Sequence, residues 1–364
     1  MAPDDASSPP ATREPPAPSN GARGARHVLG VLLRYGLGVV AAGVALDAVF
    51  GRRNELSGAF ATLGHVSGAW IVVALGAELA SIIAYAGMER RLLTAGGARV
   101  GLRPLTGITL AANAIQNSLP VGPAWSTIYA FRQFRRRGID ATLAGWVLVV
   151  STVVAFAALA LVALVGLGLA EGQASSLDLV RGIVVVAVLG AGLVEVVRRG
   201  LLTRFVRVVL VALVRLAQRV AHRPEGDAGE LGARAMERLG AVQLSKVTLA
   251  RAAGWSLANW LLDLSCLAIA FLAVHARVPW RGLLLAYGAA QLAANLPLTL
   301  GGLGVVEGSL TVALVFYGGT QSATVAAVLL YRILGFWLLL PAGWLAALVL
   351  RVQARKDHTG LVAP

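Results

Sequence analysis

Four ionisable residues stand inside stretches that are otherwise apolar: Glu78, Asp263, Glu307 and Arg332. A charge near the centre of a membrane helix costs a few kcal/mol on insertion scales, so each needs a partner or a water-lined path. Glu307 falls near the start of a helix, where the helix dipole favours an anion, and Arg332 lies in the next apolar span, within reach of pairing with it. Such a pair serves equally as a clamp or as a contact for a charged substrate. Glu78 has no evident sequence partner; it could carry a coupling proton or compete for Arg332. Asp263 shares a helix face with Asn259 one turn earlier, a pattern suited to hydrogen bonding between helices.

Two polar strings interrupt apolar sequence. The first is Asn113-Ala114-Ile115-Gln116-Asn117-Ser118-Leu119-Pro120-Val121-Gly122-Pro123, and the second is Asn295-Leu296-Pro297-Leu298-Thr299-Leu300-Gly301-Gly302-Leu303-Gly304. Proline removes a backbone donor and glycine favours turns, so a helix should break at both. Broken backbone at membrane depth persists only where it is packed in protein or lines a wet cavity. Asn113, Gln116, Asn117, Gln291 and Asn295 approach these breaks, and their amides suit either the freed backbone groups or a headgroup path. Pro120, Gly122, Pro297, Thr299, Gly301, Gly302 and Gly304 form the breaks themselves. Helix N-termini exposed there could take a phosphate. Arg132 and its neighbours could gather anionic lipid at the mouth of the first break, besides setting topology.

Other chemistries lack their residues. Cys266 is the only cysteine, and the five histidines are scattered, so neither a disulfide framework nor a metal site is expected. Gly301-Gly302-Leu303-Gly304 is not followed by the Lys-Ser/Thr of an ATPase phosphate loop. The membrane acids are not expected to form a paired constellation, which makes an intramembrane enzyme the weakest reading. No enzymatic activity and no cofactor are expected; transport would be passive or driven by an ion or proton gradient.

The elements that hold these residues are helical spans. Hydrophobic residues make up 57% of the 364 and charged residues only 14%, well below a soluble domain. Six segments are long enough to cross a bilayer, which takes about 20 apolar residues: Val28–Phe50, Val66–Gly87, Ala141–Ala170, Leu179–Val197, Val247–Val274 and Gln321–Leu350. Leu105–Arg137 and Gly282–Tyr317 read instead as broken re-entrant hairpins, each returning to the side it came from. The fold class is therefore all-α and polytopic. Residues 1–26, rich in proline, form a disordered tail before an uncleaved first span; 27–350 form the membrane domain, and 351–364 a second tail. The 198–246 loop carries a basic amphipathic helix over Arg198–Arg223, suited to an anionic leaflet or to packing on another subunit.

The net charge of +14 is almost all arginine. With no soluble domain left to bind nucleic acid, it reads as the positive-inside rule. That rule places both termini, the Arg90–Arg103 and Arg132–Arg137 clusters and the basic loop in the cytoplasm of a multi-pass inner-membrane protein. The crossing count then makes residues 66–170 and 247–350 two units of opposite orientation, each with an interrupted helix in the matching position. Inverted repeats of this kind mark transport sites near the midplane.

The second break with its flanks, through Gly304-Val305-Val306-Glu307-Gly308 and Ala326-Ala327-Val328-Leu329-Leu330-Tyr331-Arg332, resembles the signature of the lysylphosphatidylglycerol synthase transmembrane, or flippase-like, family. The first break, with Tyr129-Ala130-Phe131-Arg132-Gln133-Phe134-Arg135-Arg136-Arg137-Gly138, also resembles it. Many members carry a Gly-Glu pair after the first proline, whereas this sequence reads Gly122-Pro123-Ala124-Trp125-Ser126, without an acid. The resemblance implies movement of a polar, anionic or aminoacylated lipid across the bilayer. Fused members append a synthase domain; this chain ends soon after Leu350, so aminoacyl transfer is not expected. The resemblance leaves the lipid unnamed. It also leaves a second function open, that of an accessory subunit anchoring a lipid-modifying enzyme or glycosyltransferase.

Overall fold

The computed structural model describes residues 66–119, 121–170, 245–295 and 300–359, with side chains to Gln353. The expected spans at 28–50 and 179–197, the basic helix at 198–223 and the first tail lie outside these residues. So do Pro120, Pro297 and Thr299.

Every described element is helical. The first unit comprises α1 (Gly68–Ala95), α2 (Leu102–Ser118), α3 (Gly122–Arg136) and α4 (Ala141–Ala170). The second comprises α5 (Lys246–Ala273), α6 (Trp280–Ala294), a 3-10 turn at Leu300–Gly302, α7 (Val305–Phe316), α8 (Gln321–Arg332), a π turn at Ile333–Trp337 and α9 (Leu339–Thr359). In each unit a long helix, two short ones separated by a break and a closing span follow in order. Among the described residues, four helical stretches are long and apolar enough to cross a membrane: α1, α4, α5 and the run from Gln321 to Gln353. α4 shows why, since its 30 residues include no charge and reach about 45 Å at the α-helical rise.

Two corrections concern helix ends. α1 continues to Ala95, two turns past the expected limit at Gly87, and those turns are packed inside the bundle, with Met88, Glu89, Leu92 and Leu93 buried. The last span is not one α-helix: a π turn interrupts it directly after Arg332, with Leu338 N–H donating to the Ile333 carbonyl at 2.8 Å. Its helix then runs into the segment expected as a tail, ending at Thr359.

The units pack reciprocally. α1 and α5 lie antiparallel. Ser67 N–H bonds the Ala273 carbonyl at one end, Asn259 bonds the Ser81 carbonyl in the middle, and Gly87 receives Trp255 towards the other end. The first arm of each hairpin packs on the closing span of the other unit. α2 lies on α9, where Gly343 meets the Leu110 backbone, and α6 lies on α4, where Gly166 meets the Leu284–Leu285 backbone.

Two buried apolar clusters occupy opposite ends of the long helices. One joins the start of α1 and the ends of α4 and α5 to α6, α7 and α8. The other joins the end of α1 and the starts of α4 and α5 to α2 and α3. The two hairpins therefore enter the bundle from opposite ends, and the arginines sort with them. Arg90, Arg91, Arg135, Arg136 and Lys246 gather at the α2–α3 end, while Arg277 and Arg281 mark the other. Outward positions such as Val72, Val312 and Phe316, the last 81% exposed, are large and apolar, as a lipid-facing surface requires.

Because a Cβ at Gly166 would overlap the α6 backbone, Gly166→Leu should force α4 and α6 apart and cost about 2 kcal/mol. Gly76 faces open space, and Gly76→Leu should stay within about 0.5 kcal/mol. Thermal unfolding of the purified protein in detergent compares the two.

Candidate functional site

The second break is organised around an arginine. α6 ends at Ala294, and the chain turns through Gly301, Gly302 and Gly304, all with positive φ, before α7 begins at Val305. A side chain at Gly301 would be strained there and would overlap the Phe336 ring. Glu307, in the first turn of α7, reaches back so that its Oε2 accepts the Gly304 N–H at 2.7 Å. Its Oε1 accepts from Arg332 Nε at 2.6 Å, and both side chains are largely buried. The guanidinium also donates to the Gly301 carbonyl at 3.1 Å and lies 4.4 Å from the centroid of Phe336. Arg332 thus ties together the turn, the start of α7 and the π turn. The helix N-terminus expected to be free for phosphate is occupied by the Glu307 carboxylate.

The first break meets the second. α2 ends at Ser118, Val121 adopts a left-handed conformation unusual for a β-branched residue, and α3 starts at Gly122, packed tightly on the Gln116 carbonyl. A Cβ on Gly301 would lie 3.2 Å from the Asn117 carbonyl, so the two interruptions touch inside the bundle. Their amides mostly bond locally. Asn117 donates to Asn113 at 2.8 Å, Gln116 accepts from Ser126 at 3.2 Å, and Asn295 donates to the Gln291 carbonyl at 2.8 Å. Trp344 of α9 closes over the first break, its indole N–H bonding Ser118 Oγ at 3.1 Å. Arg132 stands apart: it is exposed near the far end of α3, about 15 Å along the helix from Gly122.

A second polar cluster lies deeper, between α1, α5, α6 and α8. Asp263 Oδ2 accepts from Tyr287 Oη at 2.6 Å and Gln291 Nε2 at 3.1 Å, and its Oδ1 accepts from Tyr331 Oη at 2.9 Å. Glu78, 6% exposed, lies opposite Asp263 in the antiparallel register that the Asn259–Ser81 bond fixes, and interacts with Asp263 and with the Cys266 thiol. Its Oε2 makes no hydrogen bond of good geometry. Two expectations are corrected here. Glu78 does not compete for Arg332, which bonds Glu307, and the membrane acids do form a pair.

Sequence reasoning missed three contributors. Tyr287 and Tyr331 are ordinary core aromatics by pattern, although Tyr287 and Gln291 share a helix face through their spacing of four. Glu89, which the sequence reading did not single out, is buried, with Thr109 Oγ1 3.4 Å from its Oε2.

The family model for the lysylphosphatidylglycerol synthase transmembrane region matches residues 28–343. The chain belongs to that family. The match takes in both breaks, the Glu307–Arg332 pair and the Glu78–Asp263 pair, and with the four apolar spans it makes this member a multi-pass membrane protein related to lipid modification or flippase-like function. No curated protein matches the sequence.

Proposed function

We propose that this family member moves a polar or anionic lipid between the leaflets of the cytoplasmic membrane. The observation that carries the reading is that two helix breaks, entering from opposite ends of the bundle, meet beside a buried arginine. Interrupted helices of inverted units are the usual setting of a transporter's midplane site. Glu307 supplies the turn with a carboxylate that accepts from the Gly304 N–H and from Arg332. A headgroup phosphate offers the same acceptors and could replace it, since helix N-termini and arginine both favour phosphate. The arginine-rich α2–α3 end then faces the cytoplasm, following the positive-inside rule, and draws anionic lipid towards the first break. Both termini lie on that side.

The test is reconstitution of the purified protein alone into vesicles, with leaflet exchange measured for phosphatidylglycerol, phosphatidylethanolamine, a lysyl lipid and a glycolipid. Faster exchange of at least one of them than in empty vesicles is the expected result. No acceleration across the panel would reject transport and leave the anchoring of a lipid-modifying enzyme or glycosyltransferase as the function.

A further inference from the structure

We propose that Glu78 and Asp263 form a carboxyl–carboxylate pair that binds one proton, held on Glu78 while α6 and α8 are packed as they are here. The geometry distinguishes the two acids. Asp263 accepts three hydrogen bonds, which use both of its oxygens and favour its ionised form. On Glu78, by contrast, Oε2 has no hydrogen-bond partner. Two ionised carboxylates facing each other in a buried, low-dielectric setting repel strongly, and a shared proton relieves that repulsion.

Among the described residues, no cation bonds either acid. The facing titratable groups among the described residues are the Cys266 thiol on α5, the Tyr287 phenol on α6 and the Tyr331 phenol on α8. Arg332, also on α8, acts on Asp263 only through space and bonds Glu307 of α7. The π turn brings only Gly335, where a Cβ would sit 3.4 Å from the Glu78 carboxyl. α4 contains no titratable residue, and the only one in α2, Arg103, lies in its first turn, at the far end of the bundle.

The donors that hold Asp263 as the anion come from α6 and α8, whereas Glu78 belongs to α1. Separating α6 or α8 from α5 would remove donors from Asp263 and let it take the proton from Glu78. Protonation and the packing of the second hairpin are therefore linked. The proton site stands without any assumption about transport. Its use as a driving ion rests on the proposed lipid transport.

Infrared difference spectroscopy on the reconstituted full chain reads the proton directly, as the C=O stretch of a protonated carboxyl. Subtracting the Glu78→Gln spectrum from that of the unaltered protein should reveal this band, and Glu89→Gln should leave it in place. Asp263→Asn should shift it, because its acceptor becomes a neutral amide. Tyr287→Phe and Tyr331→Phe, which only remove a hydroxyl, should shift it as well. Superimposable spectra for the unaltered protein and Glu78→Gln would overturn the site, and a band unmoved by all three Asp263-side changes would overturn the pairing. In vesicles that already exchange lipid, an imposed pH gradient should change the rate, and Glu78→Gln should abolish that response. An equal response from both proteins would overturn the driving role while leaving lipid transport intact.

Discussion

Glu307→Gln and Arg332→Gln should each slow lipid exchange at least about tenfold, and the double variant should be no worse than the poorer single. Removing one member of a buried ion pair strands the other and costs about 3–5 kcal/mol, far more than losing an exposed pair. The two losses differ in kind. Arg332→Gln leaves a carboxylate that still accepts the Gly304 N–H but has no countercharge. Glu307→Gln leaves a guanidinium held by the Gly301 carbonyl and the Phe336 ring. A double-mutant cycle on thermal stability should give a coupling above about 1 kcal/mol, as for contacting charges. Additive losses in both exchange and stability would mean that the pair does not act as a unit.

An all-or-none result is expected from thiol labelling. With Cys266 replaced by alanine, single cysteines at Arg136 and Trp280 probe the ends of the two hairpins. Both positions are exposed, and they lie at opposite ends of the bundle. A membrane-impermeant maleimide added to intact cells should modify Trp280→Cys and spare Arg136→Cys. Inverted vesicles should give the reverse. Modification of both from one side would contradict the opposed entry of the hairpins, and with it the geometric basis for a transport site between them.

Much of this arrangement was legible in the sequence because proline and glycine act locally. The strings around Asn113–Pro123 and Asn295–Gly304 announced two breaks, and the helices stop there. α4 has the limits its uninterrupted apolar run implies. Glu307 and Arg332 could be matched because each stood as a lone charge in one of two neighbouring apolar segments. Partnerships set by tertiary packing were hidden. Glu78 meets Asp263 only because α1 and α5 lie antiparallel, and nothing near Glu78 in the chain indicates that register. Glu89 was concealed by the arginines after it, since long basic side chains can reach outward from a helix whose other face is buried. The π turn had no local warning beyond Gly335.

That turn has a consequence for everything after it. A π turn inserts one more residue than an α-helical turn, and in an α-helix each residue advances the azimuth by about 100°. The face that α9 offers to α2 is thus set by the five residues Ile333–Trp337, not by α9 itself. Were the turn to relax to α-helical pitch, Gly343 would leave the α2 backbone and Trp344 would swing off Ser118. Because Arg332 precedes the turn and Gly335 lies against Glu78, the ion pair and the carboxyl pair both border this one joint. By this geometry, any change of pitch beside the buried charges would turn the indole that covers the first break.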